Sequence, residues 1–155
     1  MDNDSHISVV KDLYSAFGSG DMEALLGLLA EDVVFILPEL PGVPLQTSYE
    51  GKDGFRQFLA DREPALVYTA FSPGQFFSDR DHVIVLGRTE GTVKSTRNGF
   101  QYQWVQLFEF TPENHVRRIH EFMDTHTLVS AFRERDEQEQ PPPSARDSKK
   151  EQGPR

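Results

Sequence analysis

Four side chains in the second half of the chain have the types and spacing for acid–base chemistry: Arg88, Glu90, Gln106 and Glu121. Arg88 and Glu90 stand two apart on an extended run and share one strand face. If Glu121 from a later strand joins them, the three make an acid–Arg–acid set. The cation then orients both carboxylates while their surroundings push the two pKa values apart. One acid keeps its proton and donates while the other accepts, which is the logic of a push–pull proton transfer. The same residues also fit a cross-strand ion pair on a solvated face. Gln106 falls between Trp104 and Phe108 on an aromatic face. A buried amide left without partners costs about 1–3 kcal/mol, so Gln106 needs Arg88, Glu90 or Glu121 beside it.

Other chemistries find less support. His120 adjoins Glu121 and reads either as a general base or as an interface or core histidine. His82, His115 and His126 fall at strand ends and read as surface. No HExxH, phosphate loop or GxGxxG is present, and the hydroxyls lack a nucleophile-elbow context. The chain has no cysteine, and its histidines are not at ligand spacing. We therefore expect neither a metal nor a cofactor.

These residues lie on a run of long strands, His82–Lys94, Phe100–Thr111 and His115–Asp124, separated by turns near Ser95–Gly99 and Pro112–Asn114. Alternation puts Tyr102, Trp104, Gln106, Phe108 and Phe110 on one face of the second, which reads as inward. In the last strand it groups Arg117, Ile119, Glu121 and Met123; a one-residue bulge would exchange Glu121 for His120 and Asp124. In the first it groups Ile84, Leu86, Arg88 and Glu90. Upstream, Ile7, Val10, Tyr14 and Phe17 form the apolar stripe of a helix from His6 to Gly18, capped by Asp4 or Ser5. Asp21 caps a second short helix bearing Met22, Leu25, Leu26 and Leu29. Glu31-Asp32 reads as a turn into a strand from Val33 to Leu37. Prolines 38, 41 and 44 then impose an irregular loop to about Glu50, whose Leu40, Val43, Leu45 and Tyr49 must pack on something. A third helix covers Phe55 to Arg62. A strand from Val67 to Phe77 follows, bulged at Ser72-Pro73-Gly74. Thr127–Phe132 closes with a short turn of helix.

Helices first and long antiparallel strands after predict an α+β domain, with the N-terminal helices in the concave face of a strongly curved antiparallel sheet. Such a half-open cone has an interior suited to a small ligand. The domain spans 1–132. From Arg133 the chain reads RERDEQEQPPPSARDSKKEQGPR, with no apolar residue but Ala145, and is expected to be a disordered charged tail, 133–155. A net charge of −9 and a pI near 5.0 oppose nucleic-acid binding. No apolar run approaches the roughly 20 residues of a membrane span, and the start MDNDSHIS lacks a signal-peptide pattern, so a cytoplasmic location is expected.

The order of these pieces resembles a known family. The capped second helix, EDVVF, YEGKDGFRQFL and the closing WVQLFEFTPENHVRRIHEFMDT are similar to SnoaL-like proteins of the nuclear transport factor 2-like superfamily, over about Ser5 to Phe132. The resemblance implies a cystatin-like cone, a homodimer formed through the outer sheet face, and a small apolar, oxygen-bearing ligand. It implies a pocket walled by Tyr14, Phe35, Trp104, Phe108, Ile119, Met123 and Asp124. Members include polyketide cyclases, ketosteroid isomerases and limonene-type epoxide hydrolases. The isomerases' base falls near Leu37, which cannot take a proton; their tyrosine falls near Leu13, beside Tyr14, and their second oxyanion-hole acid near Gln106. The epoxide hydrolases' Arg-x-Asp pair and last-strand Asp look like Arg88-Thr89-Glu90 and Glu121, with Glu for Asp. Their loop Tyr and Asn have no match around Glu39–Pro41. The cyclases' pocket acid would be Glu121 or Asp124, with Gln106 or Trp104 on the carbonyl. The resemblance thus implies a cofactor-independent cyclase or isomerase, an epoxide hydrolase, or a non-catalytic module that holds a hydrophobic ligand.

Overall fold

The structure, a computed structural model, describes residues 3–134. Its elements are α1 (Asn3–Ser19), α2 (Met22–Gly27), β1 (Leu29–Ile36), β2 (Ser48–Glu50), α3 (Gly51–Arg62), β3 (Leu66–Asp79), β4 (His82–Val93), β5 (Gly99–Phe110), β6 (Val116–Met123) and α4 (Thr125–Ala131). The strands form one curved, unclosed sheet in the order β2-β1-β6-β5-β4-β3. Within it β1 runs parallel to β6, while the other neighbours are antiparallel. The sheet is therefore mixed rather than wholly antiparallel. No hairpin joins β1 to β6, so chain connectivity leaves their relative direction free.

Local chemistry explains most of the boundaries. Asp21 caps α2 as expected, its carboxylate accepting from the Ala24 amide at 3.1 Å. Asp4 and Ser5, in contrast, lie inside α1, where an acid in the first turn suits the helix dipole. Glu31 and Asp32 belong to β1 rather than to a turn. The register with β6 slips between Leu29 and Val34, and this irregularity lets both acids face solvent. The proline loop packs as anticipated: Leu40 and Val43 are buried. Tyr49 fastens its end, with its hydroxyl accepting from the Gln46 amide at 2.9 Å and donating to Asp61 at 2.8 Å. Gly51 takes a φ of 77°, a conformation suited to glycine, and α3 begins there, four residues before the expected Phe55.

Two bulges decide which side chains face inward. Between Glu109 and Phe110 the β5–β6 register shifts, leaving Arg117 exposed rather than on the face of Ile119. Because this bulge precedes Ile119, the alternation from there onward keeps Glu121 inside. In β3 the register shifts at Thr69 and again at Gly74, the second within the segment where proline forecast a bulge. The concave face holds α1 against β3 and β4, and α3 against β1. Phe108, Phe110, Val83, Val85 and Leu29 are almost wholly buried there. Each such side chain contributes about 1.5–3 kcal/mol of hydrophobic stabilisation. The charged tail lies outside the described residues beyond Glu134.

Candidate active site

Three elements bring their side chains together in the concave face. Gln106 of β5 and Glu121 of β6 are directly paired, so both project from the same side of the sheet. Gln106 Nε2 donates to Glu121 Oε1 at 2.9 Å. On its other side Gln106 Oε1 accepts from the Tyr14 hydroxyl at 2.7 Å. Tyr14 is delivered by α1, whose Val10 and Leu13 are anchored in the core. The network fixes the amide orientation, because an ionised Glu121 can only accept and the nitrogen must face it. Among the described residues, Glu121 Oε2 has no hydrogen-bond partner.

A cavity of about 50 Å³ opens beside this chain of contacts. Tyr14, Gln106 and Glu121 are among its polar residues, with Phe35, Phe108 and Ile119 among its apolar walls. Leu13, Phe17, Leu25, Phe55, Phe58, Tyr68, Phe71 and Thr89 complete the lining. Burial in these surroundings pushes the Glu121 carboxyl up to about 7, against the opposing pull of the Gln106 hydrogen bond. Glu121 retains partial exposure as a residue, and we attribute that exposure to the cavity. Burial, followed by the nearby Glu121 charge, also raises the Tyr14 phenol, which keeps its proton throughout the physiological range.

Of the residues singled out from sequence, Glu121, Gln106, Tyr14, Phe35, Phe108 and Ile119 meet at this cavity. Trp104 stands behind it, stacked on Phe71 with centroids 5.1 Å apart, its Nε1 donating to Thr89 Oγ1 at 2.7 Å. Met123 pairs with Trp104 and so shares its face, but it lies outside the cavity and borders a separate depression. Asp124 is elsewhere: it caps α4, accepting from the Thr127 amide at 3.2 Å and from its hydroxyl at 2.6 Å. These bonds hold its carboxyl below the usual range.

Arg88 and Glu90 are also elsewhere. They share a face as alternation requires, but it is the outer one, opposite the buried Val83, Val85 and Thr89. Arg88 pairs with Gln103, and Glu90 with Gln101, both exposed. The two charges form a half-exposed ion pair of 3.0 Å. The acid–Arg–acid set with Glu121 is therefore not assembled. His120 likewise faces outward, tilted against Phe122 at 4.1 Å, and burial with Arg118 lowers its pKa.

Tyr68, Phe71 and Thr89 line the cavity without having been picked out from sequence. Simple alternation would send Tyr68 and Phe71 to opposite faces, and the bulge at Thr69 brings both inward. Gly87 gave the nearest readable signal. A Cβ there would collide with the Trp104 ring and the Ser72 carbonyl, the close approach that an isolated strand glycine advertises. Among the described residues no three or more His, Asp or Glu gather closely enough to hold a metal ion. None of the described helices is long and apolar enough to cross a membrane.

The SnoaL-like domain model matches residues 10–119, a span that runs from Val10 within α1 to Ile119 within β6 and includes Tyr14 and Gln106 but not Glu121. The chain belongs to the SnoaL-like family. Solved structures share its NTF2-like architecture. An NTF2-like protein from Burkholderia xenovorans LB400 is 29% identical, covers 86% of this chain and 99% of its own, and superposes with a TM-score of 0.75. TerC, co-crystallised with polyporic acid, is 21% identical over 83% of this chain and 98% of its own, with a TM-score of 0.74. A candidate polyketide cyclase from Xanthomonas campestris pv. campestris is 17% identical over 84% and 98%, with a TM-score of 0.69. No curated protein shows significant similarity to the chain.

Proposed function

We propose that this SnoaL-like chain is a cofactor-independent acid–base enzyme, a cyclase or isomerase of an apolar carbonyl-bearing small molecule, with Glu121 as its proton carrier. The observation that carries this reading is the Tyr14–Gln106–Glu121 relay at the end of an aromatic cavity. A carboxyl held near 7 populates both protonation states at neutral pH. It can take a proton from a carbon next to a carbonyl and return it at another position, as cyclisation and isomerisation require. Glu121 Oε2 is the oxygen left for this task. Gln106 Nε2 spends one hydrogen on Glu121 and keeps a second for the substrate oxygen. Tyr14, unable to ionise in its buried setting, holds the amide in that orientation. Negative charge developing on the oxygen would meet a donor fixed before the reaction begins.

Structural neighbours are consistent with small ligands of this kind: one is a candidate polyketide cyclase, and TerC was co-crystallised with polyporic acid. Epoxide opening by an Arg–acid pair with Glu121 is not favoured, because Arg88 and Glu90 lie across the sheet from it. A homodimer forms part of the proposal. Phe77, Ile84, Leu86 and Phe122 are 38–53% exposed on the outer face. Leu86, Val105 and Phe122 run in one row across three strands, which gives a second copy a continuous apolar surface.

The test is hydrogen–deuterium exchange in D2O at positions next to the carbonyl of a panel of small cyclic ketones and diketones, followed by NMR. Accelerated exchange that falls by about a hundredfold or more in Glu121→Gln is expected. Exchange at equal rates in both proteins would refute the assignment.

A further inference from the structure

Arg62 is the last residue of α3, and it stands on the far side of the aromatic wall from Glu121. Its guanidinium carbon lies 5.1 Å from the Phe17 ring centre and 4.6 Å from that of Tyr68. Phe17 and Tyr68, with Tyr14 and Phe71, line the inner cavity. The same four rings also line an open depression of about 570 Å³ that Arg62 borders. They are thus a partition between solvent and the proton-transfer site, and Arg62 is fixed to its outer surface.

Among the described residues the guanidinium has no acid to answer it. Its Nε is buried and without a hydrogen-bond partner. Among the described residues no carboxylate lies within ion-pair distance of it. The adjacent acids are engaged: Asp61 accepts from Tyr49 and from Gln57, and Glu63 pairs with Lys94 at 3.5 Å. In a chain of net charge −9 acids are abundant, yet among the described residues none pairs with it. A partly buried cation without an anionic partner is costly, and an incoming anion would relieve that cost. Stacking on two rings holds the planar fork in place, and that fork matches a carboxylate through paired charge-assisted bonds. Its field also reaches the partition. The Tyr68 phenol is pushed up to about 12 by burial and by Glu121, and Arg62 pulls against both through its charge and a hydrogen bond to the phenol.

We propose that Arg62 is an anion-recognition residue at the mouth of the cavity, selecting substrates that carry a carboxylate on a small apolar body. This deepens the acid–base reading above and rests on it only for the direction in which the body points. The carboxylate docks on Arg62 in the depression, and the apolar remainder passes between Phe17, Tyr68 and Phe71 toward Gln106 and Glu121. A cavity of about 50 Å³ holds no more than a few waters, so the rings part as the body enters.

Calorimetric titration of the full chain with 3-phenylpropanoate and with its uncharged analogue 3-phenylpropanamide, at about pH 6 and low salt, tests the assignment. The wild-type protein is expected to bind the carboxylate about tenfold or more tightly than the amide. Arg62→Gln should bring the two within about twofold while amide affinity stays unchanged, which also verifies that the variant is folded. Arg62→Lys should restore part of the preference. Glu121→Gln should retain it in full, so an inactive proton carrier and an absent anion site give different results. Equal affinities in the wild type, a preference that survives Arg62→Gln, an equal loss of both probes in that variant, or no binding of either would overturn the proposal.

Discussion

Glu121→Gln removes a titrating carboxyl while keeping an oxygen that can accept from Gln106. In the folded protein this carboxyl titrates near 7, against an ordinary value of 4.5. The folded state therefore binds the proton more tightly than the unfolded chain does, and stability falls as pH rises. The penalty is absent below about pH 4.5, grows between 4.5 and 7, and is complete above 7. A separation of about 2.5 pH units corresponds to a ceiling of about 3 kcal/mol. Residual exposure to the cavity reduces this to roughly 2 kcal/mol. Glu121→Gln should consequently melt roughly 8 °C above the wild type at pH 8.5, using about 4 °C per kcal/mol for a domain of this size, and close to it at pH 4.5. Thermal unfolding by circular dichroism at half-unit pH steps gives the difference curve. A variant less stable than the wild type at pH 8.5, or a difference that does not change with pH, would refute a desolvated Glu121.

Further perturbations separate the relay from its surroundings. Gln106→Leu removes the bond that lowers the Glu121 pKa, so the pH midpoint of the stability difference between this variant and its Glu121→Gln double mutant should move above 7. Tyr14→Phe frees the Gln106 oxygen. It should cost about 1 kcal/mol in urea denaturation and slow deuterium exchange about tenfold or more. Arg88→Ala should leave exchange unchanged and stability within about 0.5 kcal/mol, since its partner is a half-exposed Glu90. A large loss of exchange there would reinstate the acid–Arg–acid set. Phe122→Asp should convert a dimer to a monomer in sedimentation velocity without unfolding the chain.

The inward face of β5 was legible because its alternation is unbroken and an amide interrupts an otherwise aromatic row. Glu121 was legible for a related reason, since no irregularity separates it from Ile119. The face of β4 was not. Val83 and Val85 on one side and Ile84 and Leu86 on the other give both faces apolar character, and the inward Gly87 and Gly91 supply no side chain to mark the core. The outer face is apolar in its own right, which blurs the very pattern that would place Arg88 and Glu90. Tyr68 and Arg117 were hidden by bulges that depend on pairing with partner strands. Asp124 could have been read correctly: Asp124 with Thr127 three residues on is a helix-cap pattern, and the structure uses it so. Arg62 had no local signal, because its significance lies in two rings from α1 and β3 and in acids that bond elsewhere.

The central claim is that a buried carboxyl at the end of an aromatic cavity is poised to exchange a proton near neutral pH. Carbon-13 NMR of the side-chain carboxyls, titrated from pH 3 to 9 with Glu121 assigned by its loss in Glu121→Gln, measures this directly. The account predicts a midpoint near 7 for Glu121, shifting further upward in Gln106→Leu. A midpoint between 4 and 5, insensitive to Gln106, would contradict it.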